Sequence, residues 1–449
     1  MIELTLNEII KAVDGTASCP LPGAPVTGIT TDSRAAAPGS VFVALVGERA
    51  DGHDFIKGIE DRICCAIVEH EVDSSVPQII VESTYKAIGR IGAYVREKSG
   101  VIVVGVTGSV GKTSVKEMTA CVLAQRFSVL KTEKNHNNEL GLPLTLFRLE
   151  ENNEVAVLEM GISYFGEMTR VSAIARPDIA IFTNIENVHT ENLIDRDGVL
   201  RAKTELVANM RGNTLILNAE DDKLAGYSLP SGKKAVYYGI EGNCFVKAES
   251  IVCHGMESTD FVLRVGADSI PVTLPASGRH MVLDSLAAAA AGHELGLTMQ
   301  EIKQGLESYR TISGRMEKKE YKGAVIINDC YNASPTSMAA SIKVLANAGG
   351  RKLALLGDMF ELGERSDELH RGVGRVAAGL GLDMLFTVGS SARLISEAAR
   401  EAGLENAVHL GREAAAETIR RELKAGDTLL VKASRGMALE KIIAEITAE

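Results

Sequence analysis

The sequence has no paired Cys-x-x-Cys spacing, no long apolar run and no excess of basic residues. Its seven cysteines, an odd number, are scattered along 449 residues, which is typical of reduced thiols in a cytosolic enzyme. No segment reaches the ~18 consecutive apolar residues that can span a bilayer. The amino terminus shows no basic and apolar leader. We therefore expect a cytoplasmic protein that does not insert into a membrane.

Positive charge is also scarce. The formal net charge is -11 at pH 7, which argues against nucleic acid or an anionic membrane as the main partner, because both bind a basic surface. Internal repeats, charge blocks and low-complexity segments are absent as well. A phosphorylated substrate would therefore have to be held by local donors.

Length and composition indicate several folded domains. At roughly 150 residues per domain the chain has room for three, and 45% apolar with 24% charged residues leaves little room for extended disorder. Changes of pattern along the chain predict a small α/β domain over 1–99, a central domain over 100–312 and a C-terminal domain over 313–449.

Buried apolar runs alternate with helical stretches through the second and third of these domains. This alternation predicts a central, mostly parallel sheet with helices on both faces, and a C-terminal open sheet of the Rossmann type. A turn-rich stretch over 234–274 suggests an antiparallel addition, and a helix is predicted from Asp284 to Leu295. The predicted strands of the central sheet begin at 101–106 and continue at 155–158, 179–182 and 214–217.

The strongest single motif is a glycine-rich loop between a buried strand and a helix, Thr107-Gly108-Ser109-Val110-Gly111-Lys112-Thr113-Ser114. In such a loop the backbone N–H groups converge on phosphate oxygens, and the N-terminus of the helix adds partial positive charge. Lys112 would neutralise the β and γ phosphates of ATP, and the Thr113 hydroxyl would ligate Mg²⁺. The match to GxxxxGK[ST] is imperfect, because Val106 occupies the first glycine position. The alternative is a glycine-rich turn that only happens to contain Lys-Thr.

Two further side chains follow buried strands. Glu159 comes directly after 155–158, and His189 follows 179–182. The carboxyl ends of parallel strands meet at the crevice where ligands bind, and a carboxylate there suits Mg²⁺. Taken alone, Glu159 is more typical of a solvated strand-end charge, and His189 of an ordinary loop or core histidine. The functional interpretation comes from their placement relative to the glycine-rich loop. Lys203 lies on a predicted helix, and no sequence pattern around it indicates a function.

In their order along the chain, the motifs resemble those of the Mur ligase family. A single segment is weak evidence, but the order extends over nearly the whole sequence. Beside the glycine-rich loop, the matching segments include Asp32-Ser33-Arg34, Asn135-His136-Asn137-Asn138, Thr183-Asn184-Ile185, Ser313-Gly314-Arg315, Asp329-Cys330-Tyr331-Asn332, the stretch 357–363 and Lys432-Ala433-Ser434-Arg435-Gly436.

The resemblance implies an ATP-dependent ligase that forms an amide bond through an acyl phosphate. In the central domain ATP would lie on the glycine-rich loop, with Arg315 reaching the γ phosphate and Asp329 the ribose. Asp284, Tyr331 and Asn332 complete the implied ATP site. The first domain would hold the UDP part of a substrate, and the residues implied for it are Ser33, Arg34, Gly47, Asp51, Gly52 and His53, together with Asn137 and Asn138.

The resemblance also implies two magnesium ions. One would be bound by Thr113 and Glu159, and the other by His189 and a carbamylated Lys203. Carbamylation turns a cationic amine, which cannot ligate magnesium, into an anionic oxygen ligand. The implied catalytic residues are Lys112, Lys203, His189 and Arg315.

The C-terminal domain distinguishes members of the family. The Asp-Asn-Pro-Arg signature of the relative that adds a diamino acid is missing, whereas 331–335 and 357–363 resemble the member that joins D-alanyl-D-alanine to UDP-N-acetylmuramoyl-tripeptide. We therefore expect that reaction, in a monomeric enzyme. The alternatives are a folylpolyglutamate-synthase-like ligase, which the UDP-type first domain disfavours, and a nucleotide switch that binds ATP without consuming it.

The chain departs from the family pattern at one place. The family usually has His-Asn with a second Asn three residues later, but this chain has His280-Met281 and then Asp284. An Asn side chain both donates and accepts, whereas an ionised Asp only accepts. How the adenine is bound is therefore open. A helix-terminal carboxylate is the alternative interpretation of Asp284.

Overall fold

The computed structural model describes residues 1–448, which form an α/β protein with three separate main sheets. The predicted fold class is confirmed. The elements of the first part are β1 (Leu4–Thr5), α1 (Leu6–Val13), β2 (Thr16–Ala17), β3 (Pro25–Val26), β4 (Gly28–Thr30), β5 (Ser40–Val43), β6 (Ile63–Val68), β7 (Gln78–Ile80) and α2 (Thr84–Ser99).

The first sheet is small and has the order β2-β7-β6-β5-β4, with β4 to β7 parallel. A short pair of β1 and β3 lies beside it. Helix α2 is tied to the central part by Arg96, which is fully buried, donates to the Ala175 carbonyl at 2.9 Å and pairs with Asp178 at 2.8 Å. The first and central sheets therefore share packing through α2.

The central part contains a nine-stranded sheet in the order β16-β15-β14-β13-β12-β11-β8-β10-β9. Its elements are β8 (Ile102–Thr107), α3 (Lys112–Leu123), β9 (Val129–Lys131), α4 (Gly141–Leu146), β10 (Val155–Glu159), α5 (Glu167–Ala175), β11 (Ile179–Phe182), α6 (Thr190–Leu193), α7 (Arg196–Thr204), β12 (Thr214–Asn218), α8 (Asp222–Ala225), β13 (Lys234–Gly239), β14 (Val246–His254), β15 (Ser258–Val265), β16 (Asp268–Leu274), α9 (Arg279–Glu294) and α10 (Met299–Glu307).

Strand β8 lies between β11 and β10, and all three are parallel. The loops that follow them therefore meet at one edge of the sheet, which is where an open α/β sheet binds ligands. The glycine-rich loop, Glu159 and the segment leading to His189 all come from this edge. The helix predicted after the glycine-rich loop is confirmed and begins at Lys112.

Two predictions for the central part need correction. The stretch 234–274 is antiparallel only from β14 onward, because β13 follows α8 as a crossover strand and pairs in parallel with β12. The helix predicted from Asp284 begins earlier, at Arg279. Its N-cap, Gly278, has a φ of 108° and offers no capping side chain, so the usual start signal is missing. Asp284 lies in the second turn rather than the first.

The third part is a six-stranded sheet in the order β17-β18-β22-β19-β20-β21, parallel except for β17. The open Rossmann-like sheet is thus confirmed. Its elements are β17 (Glu317–Tyr321), β18 (Ala324–Asn328), α11 (Pro335–Ala346), β19 (Lys352–Gly357), α12 (Ser366–Gly379), β20 (Met384–Val388), α13 (Arg393–Glu401), β21 (Ala407–His409), α14 (Arg412–Glu422), β22 (Thr428–Lys432) and α15 (Glu440–Thr447).

Apolar cores cover both faces of the central and third sheets. In the central part, α9 packs closely on α3 because its buried residues include the run of alanines from Ala287 to Ala291. None of the helices in residues 1–448 is long and apolar enough to cross a membrane. The domain limits at 99 and 312 stay predictions.

Candidate active site

A cleft of about 1160 Å³ lies between the central and third sheets. The wall formed by the central part of the chain carries the glycine-rich loop, Glu159 and His189. The wall formed by the third part carries Arg315 and the start of the segment after β18. The volume is sufficient for a nucleotide together with a second substrate. Predicted site residues from distant parts of the sequence therefore face one another across a single cavity. The predicted site residues that line it are Ser109, Val110, Gly111, Lys112, Thr113, Asn137, Asn138, Glu159, His189, Arg315, Asp329, Tyr331 and Asn332.

The glycine-rich loop turns tightly because two positions require glycine. Gly108 has a φ of 144°, and a Cβ there would lie 1.9 Å from the Thr183 hydroxyl. Gly111 has a φ of 83°. Lys112, the first residue of α3, folds back and donates to the carbonyls of Gly108 at 2.9 Å and Ser109 at 3.1 Å. Burial lowers the pKa of Lys112, and the charge of Glu159 partly opposes that shift.

The segment after β11 supports the glycine-rich loop through hydrogen bonds. The Asn184 side-chain oxygen accepts from the Val110 N–H at 2.8 Å, and the Ser109 N–H donates to the Asn184 carbonyl at 2.9 Å. The Glu186 N–H donates to the Ser109 hydroxyl at 2.9 Å. Sequence reasoning missed these supporting roles. The available signal was the family segment at 183–185, which we had not assigned to any contact.

Glu159 is a buried carboxylate with one oxygen unsatisfied. Its Oε1 accepts from the Asn137 amide at 3.0 Å, while Oε2 has no hydrogen-bond partner among residues 1–448. Across the cleft, Arg315 Nη2 donates to the Thr113 hydroxyl at 2.7 Å, and its guanidinium lies 4.2 Å from the centre of the Tyr331 ring. A bare anionic oxygen and a hydroxyl in one polar cleft are ligands that fit Mg²⁺.

Lys203 is buried on α7 with only 1% of its surface exposed. It does not line the cleft. Burial and the neighbouring positive charge of Lys112 hold the pKa of Lys203 well below its ordinary value, so this environment favours the neutral amine. No group of three His, Cys, Asp or Glu side chains converges as a metal site within 1–448. A metal ion here would therefore need ligands of other kinds as well, such as the Thr113 hydroxyl.

In the wall formed by the third part of the chain, several hydrogen bonds converge on Asp329. Its carboxylate accepts from Lys432 Nζ at 2.7 Å, from the Ser341 hydroxyl at 2.6 Å and from the Met316 N–H at 3.2 Å. These bonds hold the segment next to Arg315 against the sheet. Lys432 also donates to the Asn332 carbonyl at 3.0 Å. We missed Lys432 from the sequence, although it lies in a matching family segment, because nothing in the pattern pairs it with Asp329.

Asp284 points at the glycine-rich loop. A Cβ on Gly111 would lie 2.8 Å from its Oδ1, and the side chain is largely buried. Burial raises the pKa of Asp284 well above its ordinary value, while the charge of Arg315 acts in the opposite direction. The helix-terminal interpretation is wrong, because Asp284 lies in the second turn of α9.

Replacing Asp284 by asparagine is expected to lower the KM for ATP, because the variant removes an acid beside the phosphate loop and supplies a donor. Its effect on stability should depend on pH. The unfolded Asp ionises near ~3.9, but the folded one resists ionisation, so wild-type stability falls as pH rises above ~4. The melting temperature of Asp284→Asn minus that of wild type should therefore increase with pH.

The control for this prediction is Asp268→Asn, which removes an exposed carboxylate from β16. That variant should leave both the KM for ATP and the pH dependence of the melting temperature as in the wild type. An unaltered KM for ATP in Asp284→Asn, with a melting difference that is constant from pH 4 to pH 8, would contradict the placement of this acid.

The residues predicted to hold UDP lie apart from the cleft, in the first sheet and its loops. Arg34 has an 88% exposed side chain and pairs with Asp32. His53 is buried, with Nδ1 2.6 Å from Asp51 and Nε2 accepting from the Glu69 N–H at 2.9 Å. Its two nitrogens are therefore engaged within the protein. UDP binding by Ser33, Arg34, Gly47, Asp51, Gly52 and His53 stays a prediction, and only Asn137 and Asn138 of this set reach the cleft.

Three family models match consecutive stretches of the chain. They are "Mur ligase family, catalytic domain" over 25–98, "Mur ligase middle domain" over 106–292 and "Mur ligase, glutamate ligase domain" over 314–435. A relative from Escherichia coli (strain K12), UDP-N-acetylmuramoyl-tripeptide–D-alanyl-D-alanine ligase, is 35% identical over 99% of this chain and 98% of its own length.

Two solved structures are similar along the whole fold. MurF from Acinetobacter baumannii superposes with a TM-score of 0.92 at 32% identity, covering 100% of this chain and 99% of that one. MurF ligase from Thermotoga maritima, solved in complex with ADP, superposes with a TM-score of 0.84 at 29% identity, covering 94% of this chain and 97% of the other.

Proposed function

The chain belongs to the Mur ligase family, and from that premise we propose that it joins D-alanyl-D-alanine to UDP-N-acetylmuramoyl-tripeptide at the expense of ATP, in the synthesis of peptidoglycan precursors. The observation that carries the proposal is the contact of Arg315 with Thr113 across the cleft. It brings a cation of the third sheet to the phosphate loop of the central sheet. Phosphoryl transfer needs charge-stabilising groups of this kind on both sides of the phosphate.

In the first half of the reaction the tripeptide carboxylate attacks the γ phosphorus of ATP and releases ADP. Lys112 leaves the loop carbonyls of Gly108 and Ser109 and donates to the phosphates, and the loop N–H groups hold the β phosphate. Arg315 donates to the oxygens of the transferring group. These groups act where negative charge is spread, so they stabilise the transition state more than the bound substrates.

Thr113 and Glu159 would hold one magnesium ion, since the unsatisfied Glu159 Oε2 is an anionic oxygen that needs a cation. Bound Mg²⁺ would neutralise charge on the phosphates and the transferring group. His189 and Lys203 would hold a second ion once the lysine carries a carbamate. The neutral amine of Lys203 adds to carbon dioxide, forming an N–C bond and releasing one proton, and burial of the side chain favours that neutral form.

In the second half the dipeptide amine attacks the acyl carbon, and phosphate leaves with the carboxylate oxygen that it received. The dipeptide amine would approach along the cleft wall of the third sheet at Ser434 and Arg435, which have no predicted ATP contact. Cys330 also lies in this wall, but burial raises its pKa to about 12, which makes it a poor nucleophile. We assign it no covalent role.

We propose that the enzyme acts as a monomer. The scattered, unpaired cysteines favour a cytoplasmic enzyme, and we place the reaction in the cytoplasm. The UDP part of the substrate would extend from Asn137 and Asn138 toward the first sheet.

Phosphate release measured with each substrate omitted in turn tests the proposal. We expect phosphate only when ATP, UDP-N-acetylmuramoyl-tripeptide and D-alanyl-D-alanine are all present. Phosphate release that requires a folate and glutamate instead would identify a folylpolyglutamate-synthase-like enzyme. Tight ATP binding without turnover under every combination would identify a nucleotide switch, and either result would overturn the proposal.

A further inference from the structure

The central and third parts also touch outside the cleft, at the turn between β14 and β15. We call residues 255–257 the hairpin tip. Lys318, in β17 of the third part, donates from Nζ to the Met256 carbonyl at 2.7 Å and pairs with the Glu257 carboxylate. Neither the hairpin tip nor Lys318 lines the cleft. The two parts are therefore joined at a second place, away from the phosphate loop.

Apolar packing adds to the same junction. The Met256 side chain packs against an apolar core of the third sheet, although the turn that carries it belongs to the central sheet. The Ser277 hydroxyl donates to the Gly255 carbonyl at 2.6 Å, which ties the hairpin tip to the start of α9. A Cβ on Gly278 would lie 2.9 Å from Cγ2 of Val344, in α11 of the third part. The third part therefore packs on the hairpin tip and on the start of α9 together.

The ion pair alone contributes little to this junction. The Glu257 side chain is 79% exposed and that of Lys318 is 34% exposed, and exposed ion pairs add little to stability. The hydrogen bond from Lys318 to the Met256 carbonyl is charge-assisted, and the packing of Met256 removes apolar surface from water. We therefore attribute the junction mainly to the hydrogen bond of Lys318 and to the Met256 side chain.

A short and well-bonded segment connects Lys318 to Arg315. Only two residues separate them, and the second of these, Glu317, begins β17. The Glu317 carboxylate accepts from the Gly314 N–H at 2.9 Å and from the Asn328 amide at 3.1 Å. These bonds hold the segment to the neighbouring strand on both sides of Arg315. A shift of Lys318 is therefore passed on to Arg315.

We propose that Lys318 is a positioning residue, which docks on the hairpin tip and thereby holds the Arg315 guanidinium at Thr113. Arg315 Nη2 donates to the Thr113 hydroxyl at 2.7 Å, and this contact exists only where the third part is seated on the central part. The inference rests on the proposed function, in which Arg315 stabilises the transferring phosphoryl group. A displacement of about 1 Å at a group of this kind can cost ~10²-fold in rate.

The placement of Arg315 can be measured without substrates or metal. Phenylglyoxal modifies accessible arginines, and its rate at Arg315 is followed by mass spectrometry of the peptide that contains this residue. In the wild type the guanidinium is held by Thr113 and lies on the Tyr331 ring, so modification should be slow. We expect faster modification of Arg315 in Lys318→Ala and in Met256→Ala. Lys318→Arg keeps a long cationic donor and should retain the wild-type rate.

The matched control is Lys319→Ala, which removes the next lysine of the same strand. Lys319 Nζ donates to the Thr447 hydroxyl at 2.8 Å, within the third part, so this variant should change neither the reactivity of Arg315 nor kcat. In ligation assays, Lys318→Ala should lower kcat by roughly tenfold or more. It should have little further effect in an Arg315→Lys background, because the effects of residues that act as a unit are not additive.

A wild-type rate of modification at Arg315 in both Lys318→Ala and Met256→Ala would overturn the inference, even if turnover fell. The same loss of kcat from Lys318→Ala with and without Arg315→Lys would also overturn it, because Lys318 would then act through another group. A wild-type protein with the expected pattern of reactivity but no ligation activity would instead overturn the proposed function, and with it the catalytic consequence of this contact.

Discussion

Replacing Lys112 by alanine is expected to abolish ligation while leaving the fold intact. Among residues 1–448, the Lys112 ammonium donates only to the carbonyls of its own loop, Gly108 and Ser109, and it can turn toward a phosphate. Loss of one electrostatic contact to a transition state costs ~10²-fold or more in rate. Phosphate release and amide formation should both fall below detection or by at least that factor.

The same substitution should not lower stability at neutral pH. Burial lowers the pKa of Lys112, so the folded state binds this proton less well than the unfolded state, and keeping the charge costs stability below the unfolded pKa. The variant should therefore melt no earlier than wild type. Lys86→Ala, on the exposed face of α2, is the matched control and should keep full activity. Near-normal turnover of Lys112→Ala would rule out the phosphate-loop assignment.

Replacing Lys203 by alanine is expected to impair ligation severely and to make it respond to added short-chain carboxylates. The side chain is almost fully buried on α7, so its truncation leaves a cavity lined by the groups that surrounded it. Acetate or propionate can enter that space and present an oxygen where the carbamate would have been. We expect a loss of ~10²-fold or more, partly restored as the carboxylate concentration rises.

Lys203→Arg tests whether rescue requires the vacated space. Arginine is cationic, fills the space and does not form a carbamate, so this variant should be inactive and should not respond to carboxylates. Full activity of Lys203→Ala in carbonate-free buffer would remove the basis for the carbamate. Equal rescue of both variants would show that carboxylates act elsewhere.

Much of the fold could be predicted from the sequence, because buried parallel strands are near-continuous apolar runs. The strand predicted at 179–182 is confirmed at those residues, and the helix predicted after the glycine-rich loop begins at Lys112. The start of α9 was predicted too late, because Gly278 provides no capping side chain. Asp284 is instead a residue type that is common at the start of a helix.

The candidate site was predictable only in part. The glycine-rich loop, Glu159 and His189 follow strands that are adjacent in the sheet, and topology brings such loops together. Contacts across the cleft join distant residues, such as Arg315 and Thr113, which are 202 positions apart along the chain. The spacing of residues in the sequence does not predict contacts between such distant positions. They became known only from the way the central and third parts pack in the structure.

The transfer of oxygen from the peptide to phosphate tests the central claim most directly. UDP-N-acetylmuramoyl-tripeptide with ¹⁸O in its reacting carboxylate is incubated with ATP and D-alanyl-D-alanine, and the released phosphate is analysed by mass. An acyl phosphate intermediate places one carboxylate oxygen in each phosphate, so the account predicts ¹⁸O in phosphate in step with amide formation. Amide formation with unlabelled phosphate, or phosphate release without amide, would contradict it.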